Sequence, residues 1–264
     1  MSFFENCNRI VVKVGSSTLT HSNGRLNLRR IELLAKTLSD LKNSGKEIVL
    51  VSSGAVSAGV AKAGLGHRPQ SLEEKQAMAS IGQSELMKIY DRFFSDYGHK
   101  VGQILMTRDV VDNPVRRVAA VNTFNTLLRM GCIPIVNEND AVSTDELVQF
   151  GGNDILSAHV ANLCEADVLI NLSDVEGLYD SDPRKNPEAK LVGRVENIDE
   201  MISFAGGAGT ERGTGGMAAK LTAAKMVTEN GIPMFIMNGA DPEILYRLLD
   251  GEHIGTLFVA KNKK

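Results

Sequence analysis

Arg9 to Ser17 reads RIVVKVGSS, four apolar residues around a single lysine and then a glycine–serine turn. A short apolar, β-branched run closed by a turn is the pattern of a strand buried on both faces, as in a parallel sheet. The pattern recurs at Glu47 to Val51, Val101 to Met106, Ile133 to Val136, Val168 to Leu172 and Met234 to Met237. Between these runs lie segments with apolar residues at helical spacing: Leu28 to Leu41 through Ile31, Leu34 and Leu38, then Leu72 to Phe94 and Met217 to Thr228. Strands alternating with helices predict an α/β fold, a mainly parallel sheet covered by helices on both faces. Two zones break the alternation. Ala141 to Gly152 suits a polar hairpin, and Ser181 to Val192, with its DPRKNPEAK run, suits an exposed excursion.

The bulk properties narrow the class. With 264 residues, 43% hydrophobic and 23% charged, the chain is long enough to bury a sizeable core and has an ordinary globular composition. A formal net charge of −3 points away from a general nucleic-acid or anionic-membrane binder, so any basic site must be local. Cys7, Cys132 and Cys164 are odd in number, far apart and without a CxxC pair, which suits reduced, buried thiols rather than a disulfide frame or a zinc site. No basic-then-apolar leader opens the chain, and no run approaches the ~20 apolar residues of a membrane helix.

In open α/β sheets ligands bind beyond the carboxyl ends of the strands, so the residues after each strand carry the functional question. Lys13 lies just before Val14 and the Gly15-Ser16 turn. A lysine inside an apolar strand is costly unless paired, and this one either faces a phosphate or reaches a carboxylate. Val51-Ser52-Ser53-Gly54-Ala55 turns into a helix and offers N–H donors and a hydroxyl to an anion, or simply caps that helix. Ile133 to Val136 runs into Asn137-Glu138-Asn139-Asp140, and Gly151-Gly152-Asn153-Asp154 opens the next helix, where Asp154 is also a natural first-turn carboxylate. Val168 to Leu172 ends in Ser173-Asp174, a pair that equally suits a turn cap.

Late in the chain, Gly206 to Lys220 reads GGAGTERGTGGMAAK, with six glycines before a helical run. That composition lets backbone N–H groups converge on a phosphate at a helix N-terminus, although a ligand-free surface loop shares it. Neither GxxxxGK[ST] nor GxGxxG after a strand is present, so a nucleotide site here is of another design. Five polar or glycine-rich termini on one edge, together with two lysines, are harder to explain as separate caps than as one site.

The ordered set VVKVGSS, VLVSSGAVSAG, IPIVNENDAV, GGNDILSA, LINLSDVEGLYDSDPR and GTGGMAAKLTAA resembles the amino acid kinase family from Arg9 to about Phe258. VSSGAVSAG, NENDAV and GTGGM followed by a lysine resemble, within it, the branch that acts on the γ-carboxylate of glutamate. The resemblance implies one three-layer αβα sandwich over residues 1–264, with the acceptor bound by roughly 1–165 and ATP by roughly 166–264. It implies ATP-dependent phosphorylation of L-glutamate to γ-glutamyl phosphate, the first step of proline biosynthesis, in the cytoplasm, with Mg2+ bound mainly through the ATP phosphates. By resemblance Lys13 and Lys220 flank the transferred phosphoryl group and Asp154 holds both. Ser53, Gly54, Asp140 and Asn153 would hold the acceptor, with Asp140 taking its ammonium group. Lys13, Ser173, Asp174, Thr214, Gly215, Gly216, Met217, Ala218, Ala219 and Lys220 would hold the nucleotide.

The same resemblance implies a homo-oligomer, dimer or tetramer; proline, which resembles the product of the pathway, is a candidate feedback inhibitor that could compete near the glutamate pocket, and the mildly acidic charge and lack of a long apolar run point to no nucleic-acid or membrane partner. It also implies the form without the C-terminal PUA domain that many bacterial members append, since the chain ends soon after Phe258. One departure stands out: the family commonly writes GDND where this chain has Gly151-Gly152-Asn153-Asp154, so an acid expected near the substrate amine is absent at Gly152. Ser173 likewise replaces a threonine usual in many relatives and keeps the hydroxyl. The rival readings are a kinase of the same family acting on acetylglutamate, aspartate or carbamate, and a non-catalytic amino-acid or nucleotide sensor. A sensor needs only binding, so Lys13, Lys220 and Asp154 together speak against it.

Overall fold

The computed structural model describes residue 4 and residues 7–67, 69–142, 152–183, 185–206 and 216–261. In chain order the elements are β1 (Arg9–Val14), α1 (Ser16–Leu19), α2 (Leu28–Asn43), β2 (Glu47–Ser52), α3 (Ala55–Ala63), α4 (Leu72–Asp96), β3 (Val101–Met106), α5 (Arg108–Asp112) and α6 (Pro114–Arg129). They continue with β4 (Ile133–Glu138), α7 (Asn153–Leu163), β5 (Val168–Ser173), β6 (Arg194–Val195), α8 (Ile198–Gly206), α9 (Met217–Thr228), β7 (Met234–Asn238), α10 (Ile244–Leu249) and β8 (Thr256–Phe258). The six strands and three helices expected from periodicity are all present, each extended by at most two residues at its C-terminal end.

The eight strands form one sheet in the order β3-β4-β2-β1-β5-β7-β8-β6. Every pairing from β3 to β7 is parallel, and only β7 with β8 is antiparallel. The short strands β6 and β8 escape a reading by periodicity because two or three residues carry no period. Parallel neighbours require helical crossovers, and these lie on both faces. By period-two alternation Ile10, Val12 and Val14 of β1 join a core with Ile48, Leu50, Ile170 and Leu172 beneath α2, α4 and α10. Val11, Val49, Val51 and Leu169 face the other way, into a core with α6, α7 and α9. The result is the expected three-layer αβα sandwich.

Alternation also decides where the polar strand residues go. Lys13 pairs in register with Val51 on one side and Asn171 on the other, so Lys13 and Asn171 fall on the same face as Val11 and Leu169, the face covered by α7 and α9. β1 lies between β2 and β5, the point at which the chain, after laying down β2 and β4 on one side, crosses to the other. Such a switch point opens a crevice at the carboxyl ends of the strands.

Two glycines bring α3 and α4 into backbone contact. A Cβ on Gly59 would lie 1.8 Å from the carbonyl oxygen of Met78, and one on Gly82 would lie 1.7 Å from that of Ala55. No side chain fits at either position without moving a helix. The excursion at 181–192 is exposed for most of its length and is closed at its base by a Tyr179–Leu191 bridge. The hairpin suggested for 141–152 lies almost wholly outside the described residues. All three cysteines are buried free thiols, and burial pushes Cys7 and Cys164 up to about 12. Gly82→Ala is expected to lower the Tm by roughly 2–12 °C, the size of a 1–3 kcal/mol overpacking cost in a chain of this length; thermal denaturation monitored by circular dichroism checks it.

Candidate active site

Three charged side chains from three elements meet beyond the end of β1. Lys13 Nζ lies 2.6 Å from Asp154 Oδ1, and Lys220 Nζ lies 2.9 Å from Asp154 Oδ2, so one carboxylate bridges two ammonium groups. Lys13 is 5% exposed, Asp154 5% and Lys220 7%. β1 presents Lys13 on the α7 face, Asp154 sits in the first turn of α7, and Lys220 lies one turn into α9. Capping was the alternative for Asp154. Its side-chain oxygens instead take the two lysines and the amide of Asn171, whose Nδ2 donates to Oδ1 at 2.7 Å.

Burial alone would raise the Asp154 carboxyl, but the charges and hydrogen bonds of Lys13 and Lys220 together outweigh it and hold the group below the ordinary carboxylate range. For Lys13 burial is the largest influence and, with the nearby charge of Lys220, brings the ammonium below the usual lysine value against the pull of Asp154. Two cations and one anion leave the cluster a net charge of +1 in a nearly dry setting. Removing charges from water costs several kcal/mol per ion unless partners replace the solvent. An arriving anion would supply the missing negative charge.

The residues expected to hold the acceptor belong to a second cluster, one of neutral groups. Asn153, the first residue of α7, donates through Nδ2 to the Ser52 carbonyl at 3.0 Å, to Ser53 Oγ at 2.8 Å and to Asn137 Oδ1 at 2.9 Å. Asn137 in turn donates to Gln83 Oε1 at 2.9 Å, and its own Oδ1 also accepts the Glu138 N–H. Ser52 Oγ pairs with the fully buried Tyr90 hydroxyl at 2.9 Å. Of the expected acceptor residues the structure therefore brings Ser53 and Asn153 into contact, sets Gly54 at the N-cap of α3, and places Asp140 just beyond β4. Burial raises the Asp140 carboxyl above its ordinary value.

Several residues that complete these clusters have no expected role in the motifs: Gln83, Tyr90, Asn137 and Asn171. The signal available for Asn171 was one polar residue inside the apolar run VLINLS. For Gln83 it was an amide next to Gly82, the residue that lets α4 approach the sheet-edge helix α3.

The helix starts at this edge share a feature. α3, α7 and α9 begin at Gly54, Gly152 and Gly216 with no side-chain cap, whereas Asn27, Ser71 and Asn113 cap α2, α4 and α6. Uncapped first turns leave N–H groups for an anion. Of the residues expected to hold the nucleotide, Ser173 Oγ donates to Asp174 Oδ1 at 3.2 Å, and the Asp174 charge reaches Lys13. Gly216 to Lys220 lie at the start of α9, while Thr214 and Gly215 are outside the described residues. Gly152 has φ 104° and ψ 169°, a conformation that is essentially glycine-only. An aspartate there would carry a backbone strain of ~1–3 kcal/mol along with its carboxylate.

A parallel αβα sandwich with this cluster at its switch point defines the class: the chain belongs to the amino acid kinase family, whose model matches residues 8–238. Among curated relatives it is 56% identical over 257 residues to the glutamate 5-kinase of Clostridium perfringens, covering 96% of each chain. It is 50% identical over 264 residues to that of Listeria monocytogenes, covering 98% of this chain and 96% of the relative. Within the family its place is thus among the glutamate 5-kinases. The fold is shared with a UMP kinase of Bacillus anthracis (TM-score 0.66, 19% identity, 97% of each chain) and an isopentenyl phosphate kinase of T. acidophilum (TM-score 0.64, 16% identity, 95% of this chain and 100% of that one).

Replacing Asp154 by alanine leaves Lys13 and Lys220 buried without their shared counter-charge. Asp154→Ala is expected to cost ~3–5 kcal/mol of stability, the usual penalty for stranding a buried charge, and denaturant unfolding measures it.

Proposed function

We propose that the chain transfers the γ-phosphoryl group of ATP to the γ-carboxylate of L-glutamate, giving ADP and γ-glutamyl phosphate, the first step of proline biosynthesis. The observation that carries the reading is the pair of buried ammonium groups held on one carboxylate where β1 ends. Transfer between a carboxylate and a triphosphate is opposed by their mutual repulsion and needs little covalent help. Catalysis is then positioning plus charge neutralisation.

In this reading Lys13 and Lys220 flank the transferred group and donate to its equatorial oxygens, with Asp154 keeping both nitrogens in place. The γ-carboxylate of glutamate is already ionised at neutral pH, so no general base is required. Ser53, Asn153 and the N-terminus of α3 at Gly54 hold the acceptor, drawn from the N-terminal part of the chain. Asp140 takes the ammonium group. The nucleotide lies on the C-terminal part, with its phosphates at the uncapped start of α9, from Gly216 through Lys220, and with Ser173 and Asp174 beside them. Thr214 and Gly215 belong to the same loop.

Among the described residues no group of three or more His, Cys, Asp or Glu side chains converges as a metal cage. Both Asp154 oxygens are also already engaged. Mg2+ would arrive on the ATP phosphates and neutralise charge on the triphosphate. Among the described residues no helix is long and apolar enough to cross a membrane.

Hydroxylamine trapping of the acyl phosphate with glutamate, ATP and Mg2+ tests the reaction directly, and ADP release ranks acetylglutamate, aspartate and carbamate against it. Glutamate is expected to lead; turnover only with another acceptor would overturn the assignment. Lys220→Ala is expected to lower kcat by ~10²–10³-fold, as for loss of one transition-state donor, with the glutamate KM changed little. A Lys220→Ala protein with near-normal turnover removes Lys220 from the chemistry.

The ionisation of Asp140 supplies a pH signature. Only the ionised carboxyl pairs with an ammonium group, and burial raises the point at which that form is lost. The glutamate KM is therefore expected to climb as pH falls through that raised value, sooner than an ordinary aspartate would allow. In Asp140→Asn the glutamate KM is high throughout and this acid limb is gone. Steady-state KM measured across pH for both proteins checks it, and a limb that persists in Asp140→Asn counts against the role.

A further inference from the structure

Asn171 is a buried polar side chain at this site that folding alone does not account for. It stands in the middle of β5 among Val168, Leu169, Ile170 and Leu172, and like them it is 0% exposed. Register sets it beside Lys13, on the face covered by α7 and α9. Its Nδ2 donates to Asp154 Oδ1 at 2.7 Å, the same oxygen that receives Lys13 at 2.6 Å. Its Oδ1 is buried without a hydrogen-bond partner. A buried acceptor left unsatisfied costs ~1–3 kcal/mol, so an apolar residue of similar size would serve the strand better.

We propose that Asn171 is a positioning residue for phosphoryl transfer: its neutral N–H donor anchors Asp154 Oδ1 so that the carboxylate keeps its place while Lys13 and Lys220 turn toward the transferring phosphoryl group. This rests on the reading of the two lysines as phosphoryl-binding groups. Without Asn171 the Asp154 carboxylate is tethered by two ammonium groups on flexible four-carbon stems. Those are the same groups that an incoming phosphate engages. A third cation would also tether it, but would raise the cluster from +1 to +2 and repel both lysines. An amide supplies the donor with no charge, and it stands on a central strand rather than on a loop. Its orientation follows from the carboxylate, which accepts only the NH2 half and forces the carbonyl half away, so the unsatisfied Oδ1 is a consequence of the anchoring bond.

Two substitutions test the proposal, each measured for kcat, KM and Tm. Asn171→Leu keeps the approximate volume and removes the donor. Its kcat is expected to fall ~10–100-fold, the scale of a misplaced reacting group, with the glutamate and ATP KM values within about threefold of the parent and no loss of Tm. Asn171→Asp keeps the shape but donates only while one of the two neighbouring carboxyls is protonated; the adjacent carboxylate pushes the pKa of that proton upward and the Lys13 and Lys220 ammonium groups pull it down. Its kcat is expected to lie ~10–100-fold below that of the parent wherever both carboxyls are ionised, and to recover relative to the parent as pH falls and the shared proton is taken up. A purely structural role would not give this dependence.

A kcat for Asn171→Leu within about twofold of the parent, or an Asn171→Asp kcat within about twofold of the parent at the alkaline end of the profile, overturns the inference. If Asn171→Leu does not fold, the Asn171→Asp profile decides, because it compares pH values within one folded protein. Lys220→Ala run alongside separates the two levels. Loss of turnover in Lys220→Ala with retention in Asn171→Leu sinks only the positioning role, whereas retention in Lys220→Ala sinks the reading of the lysines beneath it.

Discussion

Two ammonium groups share one carboxylate, and the site depends on keeping that arrangement out of water. Lys13, Asp154 and Lys220 come from a strand and two helices, each nearly inaccessible to solvent. Bringing three charges into a dry crevice is tolerated only because each replaces lost hydration for another. The pairing leaves one positive charge in excess, which a further anion would balance. A low local dielectric strengthens that attraction, which is why the same groups would be far weaker on an open surface.

The neighbouring polar cluster is built on the opposite principle. Asn153, Ser53, Asn137 and Gln83 form a chain of neutral hydrogen bonds, each side-chain amide held by the next. Neutral donors and acceptors fix geometry without adding a net charge, so the charge at this edge comes from the lysine cluster. The chain depends on close packing far from the charges: with no Cβ at Gly59 and Gly82, α3 and α4 meet at backbone distance, and Gln83 reaches Asn137. Gly152 is a related case. Its backbone conformation turns the chain so that Asn153 enters one cluster and Asp154 the other, two consecutive residues serving opposite sides of the site.

The functional edge was largely legible from composition because buried strands and polar turns look unlike each other. The runs at Arg9 to Val14 and Val168 to Leu172 announce themselves by β-branched residues, and the glycines at 54 and 216 mark helices that begin without a side-chain cap. β6 and β8 were not legible, since strands of two and three residues owe their conformation to the neighbours they pair with. Asn171 and Gln83 were silent for a different reason. A lone amide in an apolar run or on a helix means little until the group it faces is known.

Local periodicity therefore settled the identity of strands and helices, the two covered faces of the sheet, and the collection of polar turns at one edge, all properties of residues within a few positions of one another. The pairings that make a site of that edge join residues far apart in the chain. Lys220 is 66 positions from Asp154, Asn137 is 54 from Gln83, and Asn153 is 100 from Ser53. Which oxygen each donor takes, and that Asp154 binds lysines instead of capping its helix, came only with the packing of α7 and α9 onto the sheet. Hydrogen bonds and buried charge interactions act over a few ångströms of space, and distance along the chain places no bound on which groups come that close.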